Sequence, residues 1–402
     1  MLKHGLAAHV VLIVSIAVLI SANATALPKR TTSSSSSSSI TESPRTQGRI
    51  AHLRHSRATR SRAVRRHRRS YERFYTSSYA DGATEGDVIG GEDPVVRAAA
   101  IEALGNMNGT VVAIDPDSGR VLSMVNQKLA LSGGAQPCST IKLAVALAAL
   151  NEHIVDKQTE VTLGHSSRMN LTEALAHSNN AYFEALGRRL GFEKVSYYAH
   201  EFGLGELAGY NIPGEHLGVF PSRELAANAG GVGKMCSFGE SISMTPLQLG
   251  ALVAAMANGG TLFYLQHPTR PEEIAGFVPK VKRQLDIAPL VPEMADGMAG
   301  AVQYGTARSV RYNFSEEPVL GKTGTCSHDG TRFGWFASYA NTDRGRIAVV
   351  IFLQGGRPTF GPKAAEIAGR MYRNLYDHNF FAPAPSTHAN GSSQVQTVGV
   401  SQ

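Results

Sequence analysis

Three short stretches carry residue types that together could perform acyl transfer. In Ser139-Thr140-Ile141-Lys142 a hydroxyl and an amine stand three residues apart. On a helix such positions share a face, one turn apart. A serine is a weak nucleophile until a base takes its proton. Lysine can be that base where burial and a neighbouring cation favour its neutral form. Lys142 is the one charge in the otherwise apolar run from Thr140 to Leu150. The helix start would also aim backbone N–H groups at a developing anion. Alone, the pair reads equally as a lysine snorkelling from the edge of a core.

The second stretch is Ser178-Asn179-Asn180. A second hydroxyl could relay a proton to a leaving group, and Asn180 could hold a peptide amide with its carbonyl and amine. Alone, such residues usually cap helices. The third is Lys322-Thr323-Gly324-Thr325, in a β-rich run. A cation and hydroxyls at a strand edge suit a substrate carboxylate. Glycine inside a strand marks close approach of another backbone or ligand, and an extended edge can accept a peptide as an added strand. The plain alternative is an edge whose lysine guards against aggregation. Side chains alternate along a strand, so Lys322 and Gly324 should face one side, Thr323 and Thr325 the other.

Regular elements must bring these stretches together. Asp93-Pro94 predicts a capped helix start, continuing from Val95 to Leu104. Gly109 to Ile114 and Arg120 to Val125 read as strands joined by a turn at Asp115-Pro116-Asp117-Ser118-Gly119. Thr140 to Leu150 reads as a buried helix, apolar all round. From residue 151 to about 289 the pattern is helices and loops, clearest at Leu171 to Leu190 and at Pro246 to Asn258. Three further strands follow, Val319 to Cys326, Gly334 to Tyr339 and Ile347 to Gln354, and a helix from Lys363 to Tyr376 closes the unit. Short links within each strand group argue for antiparallel pairing.

The chain ends read differently. The net charge of +7 suggests nucleic acid until its distribution is seen. The segment from Arg45 to Arg73 holds eleven arginines and one acid, a net +10, leaving −3 for the rest. The basicity therefore belongs to one segment, and nucleic acid is not an expected partner. Residues 1–26 have a basic start, an apolar stretch and small residues at Ala24-Thr25-Ala26, which predicts an export signal or an N-terminal anchor. The expected location is the periplasm or cell envelope. Residues 27–90, including the serine run Ser33 to Ser39, read as a disordered Ser-rich and Arg-rich linker. The Arg45–Arg73 segment could adhere to anionic lipid or wall polymer. Residues 381–402 read as a disordered tail, leaving 91–380 as the folded domain.

Taken together, S-x-x-K, S-x-N and K-T-G in this order form the known signature of penicillin-binding proteins and serine β-lactamases. From about Asp93 to Tyr376 the chain resembles the transpeptidase domain of penicillin-binding proteins. Met244-Thr245-Pro246-Leu247-Gln248, Gly305-Thr306-Ala307 and Gly334-Trp335-Phe336 add to the likeness. The resemblance implies an α+β fold, a five-stranded antiparallel sheet flanked by helices plus an all-helical lobe at about 151–289, with the active site between them. It implies that Ser139 attacks the D-Ala-D-Ala bond of a peptidoglycan stem peptide and that Lys142 accepts its proton. Ser178, helped by Lys322, protonates the departing D-alanine. Asn180 holds the substrate amide, and Lys322, Thr323 and Thr325 hold the terminal carboxylate. Backbone N–H groups of Ser139 and Thr325 form the oxyanion hole. β-Lactams would act as inhibitors, and no metal or organic cofactor is implied. About 65 low-complexity residues stand where many family members carry a pedestal or a glycosyltransferase domain, so a bifunctional enzyme is not expected.

If that oxyanion hole forms, Cys138 and Cys326, the neighbours of Ser139 and Thr325, come within disulfide range, as in some class A β-lactamases. An exported protein permits the bond, and Cys236 is left unpaired. Three other activities stay open on the sequence. A D,D-carboxypeptidase would use the same residues. A serine β-lactamase would need a base for deacylation, and Glu215 lies in roughly the right interval. A non-catalytic β-lactam or wall-binding module would need only the groove.

Overall fold

The computed structural model describes residues 72–381, except 165–166 and 343–344. The export segment, the Ser-rich run, the Arg45–Arg73 segment up to residue 71, and the tail from residue 382 lie outside the described residues.

The unbroken apolar run Ile347 to Leu353 cannot leave either face of a strand in water. It becomes the middle of β9 (Gly345–Gly355), the central strand of a five-stranded antiparallel sheet. Its neighbours are β1 (Gly109–Ile114), paired Val111 to Ile351, and β8 (Thr331–Thr342), paired Phe336 to Ile351. Beyond β1 lies β2 (Val121–Val125), and beyond β8 lies β7 (Val319–His328), so the order is β2-β1-β9-β8-β7. The Lys-Thr-Gly-Thr stretch therefore lies on an edge strand, with one side unpaired within the sheet.

Apolar side chains cover both faces of the sheet. On one face α1 (Pro94–Leu104) and α10 (Gly361–Asp377) pack over Val111, Val349 and Ile351. The Asp93 carboxylate caps α1 by accepting from the amides of Val95 and Val96. On the other face lies a larger core centred on α3 (Lys142–Asn151) and α7 (Pro246–Asn258). Helix α7 is buried almost all round. It opens with a reciprocal Thr245–Gln248 capping box and Pro246, and stops at Gly259 in the left-handed conformation. Short α2 (Gln127–Ala130) follows β2.

The 151–289 segment holds α4 (Leu171–Ala176), α5 (Asn180–Glu201), α6 (Gly231–Phe238) and α8 (Pro271–Ala275). It is not helical throughout. Two ribbons interrupt it, β3 (Val161–Leu163) with β4 (Ser167–Met169) and β5 (Thr261–Phe263) with β6 (Val281–Gln284). These strands are three or four residues long, too short to give a period in the sequence. Helix α9 (Val291–Gln303) leads back to the sheet. Among the described residues no helix is long and apolar enough to cross a membrane.

The folded unit also starts earlier than residue 91. Tyr79 bridges to Met107. The Asp87 carboxylate accepts from the backbone of Asn126 and Gln127 and pairs with Arg97. Buried Glu92 pairs with Arg97 and accepts from the Met124 amide. Residues 72–90 thus pack through polar groups satisfied at a distance. Such a segment has no apolar period, which is why it reads as linker in the sequence.

Candidate active site

The nucleophile candidate sits at a change of helix type. Cys138–Ile141 form a 3₁₀ turn that runs into α3. At three residues per turn, positions i and i+3 eclipse, and Lys142 Nζ lies 3.1 Å from Ser139 Oγ. The expected helix is therefore present, but its first turn is wound tighter, which favours this contact.

The expected helix from Leu171 to Leu190 is broken. Helix α4 ends at Ala176, Ser178 adopts φ +55°, and α5 begins at Asn180, capped by the Asn179 side chain. A left-handed non-glycine residue is strained and persists only where its surroundings enforce it. Here the break turns Ser178 and Asn180 toward Lys142. Leu190 does end a helical stretch, because Gly191 kinks α5 at φ +75°.

Lys142 Nζ is fully buried and has four oxygen neighbours: Ser178 O at 2.7 Å, Asn180 Oδ1 at 2.6 Å, and the hydroxyls of Ser139 and Ser178, each at 3.1 Å. Desolvation, aided by the charge of Lys322, pulls its pKa down to about 6. A neutral amine has two N–H donors and one lone pair. The backbone and amide oxygens can only accept, so they take both donors. The lone pair is left for a hydroxyl proton.

Lys322 is also fully buried, and burial lowers its pKa to about 7. Its Nζ lies 2.8 Å from Ser178 Oγ and 3.0 Å from Thr323 O. A continuous chain of contacts thus joins Ser139, Lys142, Ser178 and Lys322. The strand alternation is as expected. Lys322, Gly324 and Cys326 face the lobe, and a Cβ on Gly324 would stand 2.8 Å from Pro137 O. Thr323 and Thr325 face the other way. The Thr323 hydroxyl meets that of Thr306 at 2.7 Å, and Thr325 Oγ1 accepts from the Gly361 amide. One proton of the threonine pair and the Thr325 hydroxyl proton stay available to a carboxylate.

Cys138 and Cys326 are joined by a disulfide, with Cα atoms 5.5 Å apart, and Cys236 is free and buried. The bond ties the turn before Ser139, where Cys138 has φ +52°, to the strand after Thr325. Glu215 is spent on structure: its carboxylate accepts from the amides of Ala208 and Gly209, and burial holds its pKa above the usual range.

Sequence reasoning assigned no role to three supporting residues. Thr306 bonds Thr323 by its side chain and Ala176 O by its amide, so it ties the Lys-Thr-Gly-Thr strand to the end of α4, two residues before Ser178. Trp335 donates to Gln136 O at 3.0 Å and stacks on Phe352, bracing the nucleophile turn from below. Gly361 approaches so closely that a Cβ would stand 2.8 Å from Gly324 O. Each acts through a contact distant in sequence.

Comparison with known proteins fits this geometry. Residues 109–376 match the family model for the penicillin binding protein transpeptidase domain. The chain is 24% identical to peptidoglycan D,D-transpeptidase MrdA of Acinetobacter baumannii over 69% of its length and 52% of the relative's. It is 27% identical to stage V sporulation protein D of Bacillus subtilis over 65% of its length and 48% of that protein's. It thus spans about half the length of these two relatives. Among solved structures, PBP2 of Pseudomonas aeruginosa superposes with a TM-score of 0.60 at 24% identity, covering 72% of this chain and 77% of that one. The D,D-transpeptidase domain of a peptidoglycan glycosyltransferase from Eggerthella lenta gives 0.58 at 19%, over 72% and 82%. These two likenesses establish the fold, and the family match over two thirds of the sequence establishes the rest: the chain belongs to the penicillin-binding protein transpeptidase family.

Proposed function

We propose that the protein is a serine D,D-transpeptidase that cross-links peptidoglycan stem peptides through a Ser139 acyl-enzyme. The carrying observation is the environment of Lys142. Its two N–H groups are committed to Ser178 O and Asn180 Oδ1, and its lone pair is left for the Ser139 proton.

In the proposed reaction Ser139 Oγ bonds to the penultimate D-alanine carbonyl carbon as its proton passes to Lys142. The Ser139 and Thr325 amides hold the oxyanion, a contribution of about 3–4 kcal/mol per donor in acyl-transfer sites. Ser178 then gives a proton to the leaving amine, the C–N bond breaks and D-alanine departs. Ser178 is reprotonated through Lys142, with Lys322 steadying its oxygen. Lys322, Thr323 and Thr325 hold the terminal carboxylate, and Asn180 the substrate amide. Attack of an acceptor amine on the ester completes the cross-link, and attack of water would give carboxypeptidase activity instead. β-Lactams enter as amide mimics and stay attached.

The occupied carboxylate of Glu215 supports slow deacylation, since it does not serve as the free base a β-lactamase would need. A gel with labelled penicillin tests the reading. The wild type should retain label for many minutes and Ser139→Ala should take none. Release within seconds would favour β-lactamase, and unchanged cellular function of Ser139→Ala would favour a binding module.

Residues 1–26 are proposed to direct export, and the disulfide supports an oxidising compartment. The +10 segment from Arg45 to Arg73 is proposed to hold the enzyme near anionic lipid or wall polymer. Deleting residues 45–73 should abolish salt-sensitive binding to vesicles containing anionic lipid or to isolated walls. Unchanged binding would refute that role.

A further inference from the structure

Three titratable side chains meet beside Ser178, outside the chain of contacts that joins Ser139 to Lys322. His177 follows α4 and directly precedes Ser178, and its Nε2 lies 3.2 Å from Oε2 of Glu173, one turn earlier. Tyr304, just past α9, donates its hydroxyl to the other carboxylate oxygen at 3.0 Å, and its ring stands 5.6 Å from that of His177. All three side chains are about half exposed, so the contacts stabilise the fold little. The His177 ring makes no other polar contact among the described residues. A carboxylate beside Nε2 favours a proton on that nitrogen, which leaves the lone pair on Nδ1.

The cluster lies where the leaving group departs. Thr306, two residues after Tyr304, bonds Thr323 with its hydroxyl and Ala176 O with its amide. Thr323 holds the D-alanine carboxylate in the proposed reaction, so residues 304–306 and the end of α4 border the departing D-alanine. Attack by an acceptor amine is chemically the reverse of that departure, so the acceptor enters over the same rim. Its amine arrives as an ammonium and must shed two protons to become an amide. One retraces the acylation route, through Ser178 and Lys142 to Ser139 Oγ. The other has no taker in that chain, where Lys322 serves as a cation. We infer that His177 is the base that takes this first proton from the acceptor ammonium, with Glu173 and Tyr304 holding its ring, an assignment that rests on the transpeptidase reading. The ammonium N–H bond breaks, its proton joins Nδ1, and solvent later removes it. The freed lone pair bonds to the acyl carbon. The ester C–O bond then breaks with its electrons staying on Ser139 Oγ, which receives the second proton. Glu173 and Tyr304 are the titratable groups that face His177. Asp296, paired with Lys157, adds its charge near Tyr304.

The test uses the full-length protein, the thioester donor Nα-benzoyl-D-alanyl-thioglycolate and two acceptors at neutral pH. D-Alanine is mostly an ammonium there, whereas hydroxylamine is mostly a free amine and needs no base. The ratio of aminolysis product to free acid reports how the acyl-enzyme partitions, and it is independent of how much of a variant is folded. His177→Gln keeps a polar group against Glu173. It should cut the D-alanine ratio about a hundredfold, the lower end of what a positioned base supplies. The hydroxylamine ratio and the rate of penicillin labelling should stay at wild-type values. Equal D-alanine ratios in wild type and variant, or a wild type that uses hydroxylamine alone, would overturn the assignment. So would the same loss with both acceptors, which marks His177 as a support for the Ser178 turn. A wild type that takes no penicillin label, or yields only free acid with both acceptors, would instead overturn the transpeptidase reading.

Discussion

The proposed chemistry depends on two buried amines whose pKa values burial pulls far below the ordinary lysine value. In the proposed reaction Lys142 must be neutral to accept the Ser139 proton, so acylation should rise with pH through about 6. Lys322 serves a carboxylate best when charged, so the rate should fall as pH climbs past about 7. The second-order rate of penicillin acylation should therefore trace a narrow bell, whose two apparent values belong to the pair. A profile flat from pH 5 to 9 would contradict this assignment. Asn180→Asp places a carboxylate 2.6 Å from Lys142 Nζ in the same geometry. An anion favours the charged amine, so the rising limb should move to higher pH. The same shifts act on folding. Unfolded, both lysines bind protons up to the ordinary lysine value of 10.5, while in the fold they lose them near 6 and 7. The unfolded state binds more protons across that window. Their contribution to stability therefore declines as pH falls through it and levels off below about 6.

At the scale of elements, the site depends on how closely β7 approaches the nucleophile turn. Gly324 allows that approach, and Gly324→Ala would press a methyl against Pro137 O at 2.8 Å and Cys138 Cβ at 3.3 Å. The expected result is a loss of about 1–3 kcal/mol, typical of overpacking, together with slower penicillin labelling. Thermal unfolding and labelling rate, measured on the same sample, check both parts. This glycine was legible as a marker of close approach, and so were the five strands, because long apolar runs and Pro/Gly turns announce themselves locally. The break at Ser178 was not legible. Leu171 to Leu190 carries a helical pattern on both sides of it, and the left-handed turn is imposed by distant partners such as Lys142 and Thr306. Thr306 and Trp335 stood out in the sequence only through the family likeness, and their roles were illegible for the same reason. Each is an ordinary residue until the fold supplies its partner.

Across the whole molecule, the Cys138–Cys326 bond joins residues 188 apart in sequence and encloses the whole 151–289 segment. A cross-link of that span restricts the unfolded chain strongly, and its removal commonly costs about 2–4 kcal/mol. Cys326→Ala should lower the denaturant midpoint. It should also slow labelling by more than the fraction unfolded explains, because the bond fixes the distance between Ser139 and Thr325. Equal labelling by folded wild type and variant would reduce the bond to a stabiliser only.

The start of the folded unit bears on the same strand. Tyr75 donates its amide to Gly330 O, its ring lies against Gly330, and the hydroxyls of Thr76 and Thr331 meet at 2.6 Å. Those partners form the tip of the β7–β8 hairpin, a few residues from Lys322-Thr323-Gly324-Thr325. Traction applied through the preceding chain would thus be felt first at the tip of this hairpin, and then through Ser78 at Asn108 and Gly356, beside the ends of β1 and β9. A tethered enzyme and a freely diffusing one need not acylate at the same speed, even with identical residues in the groove.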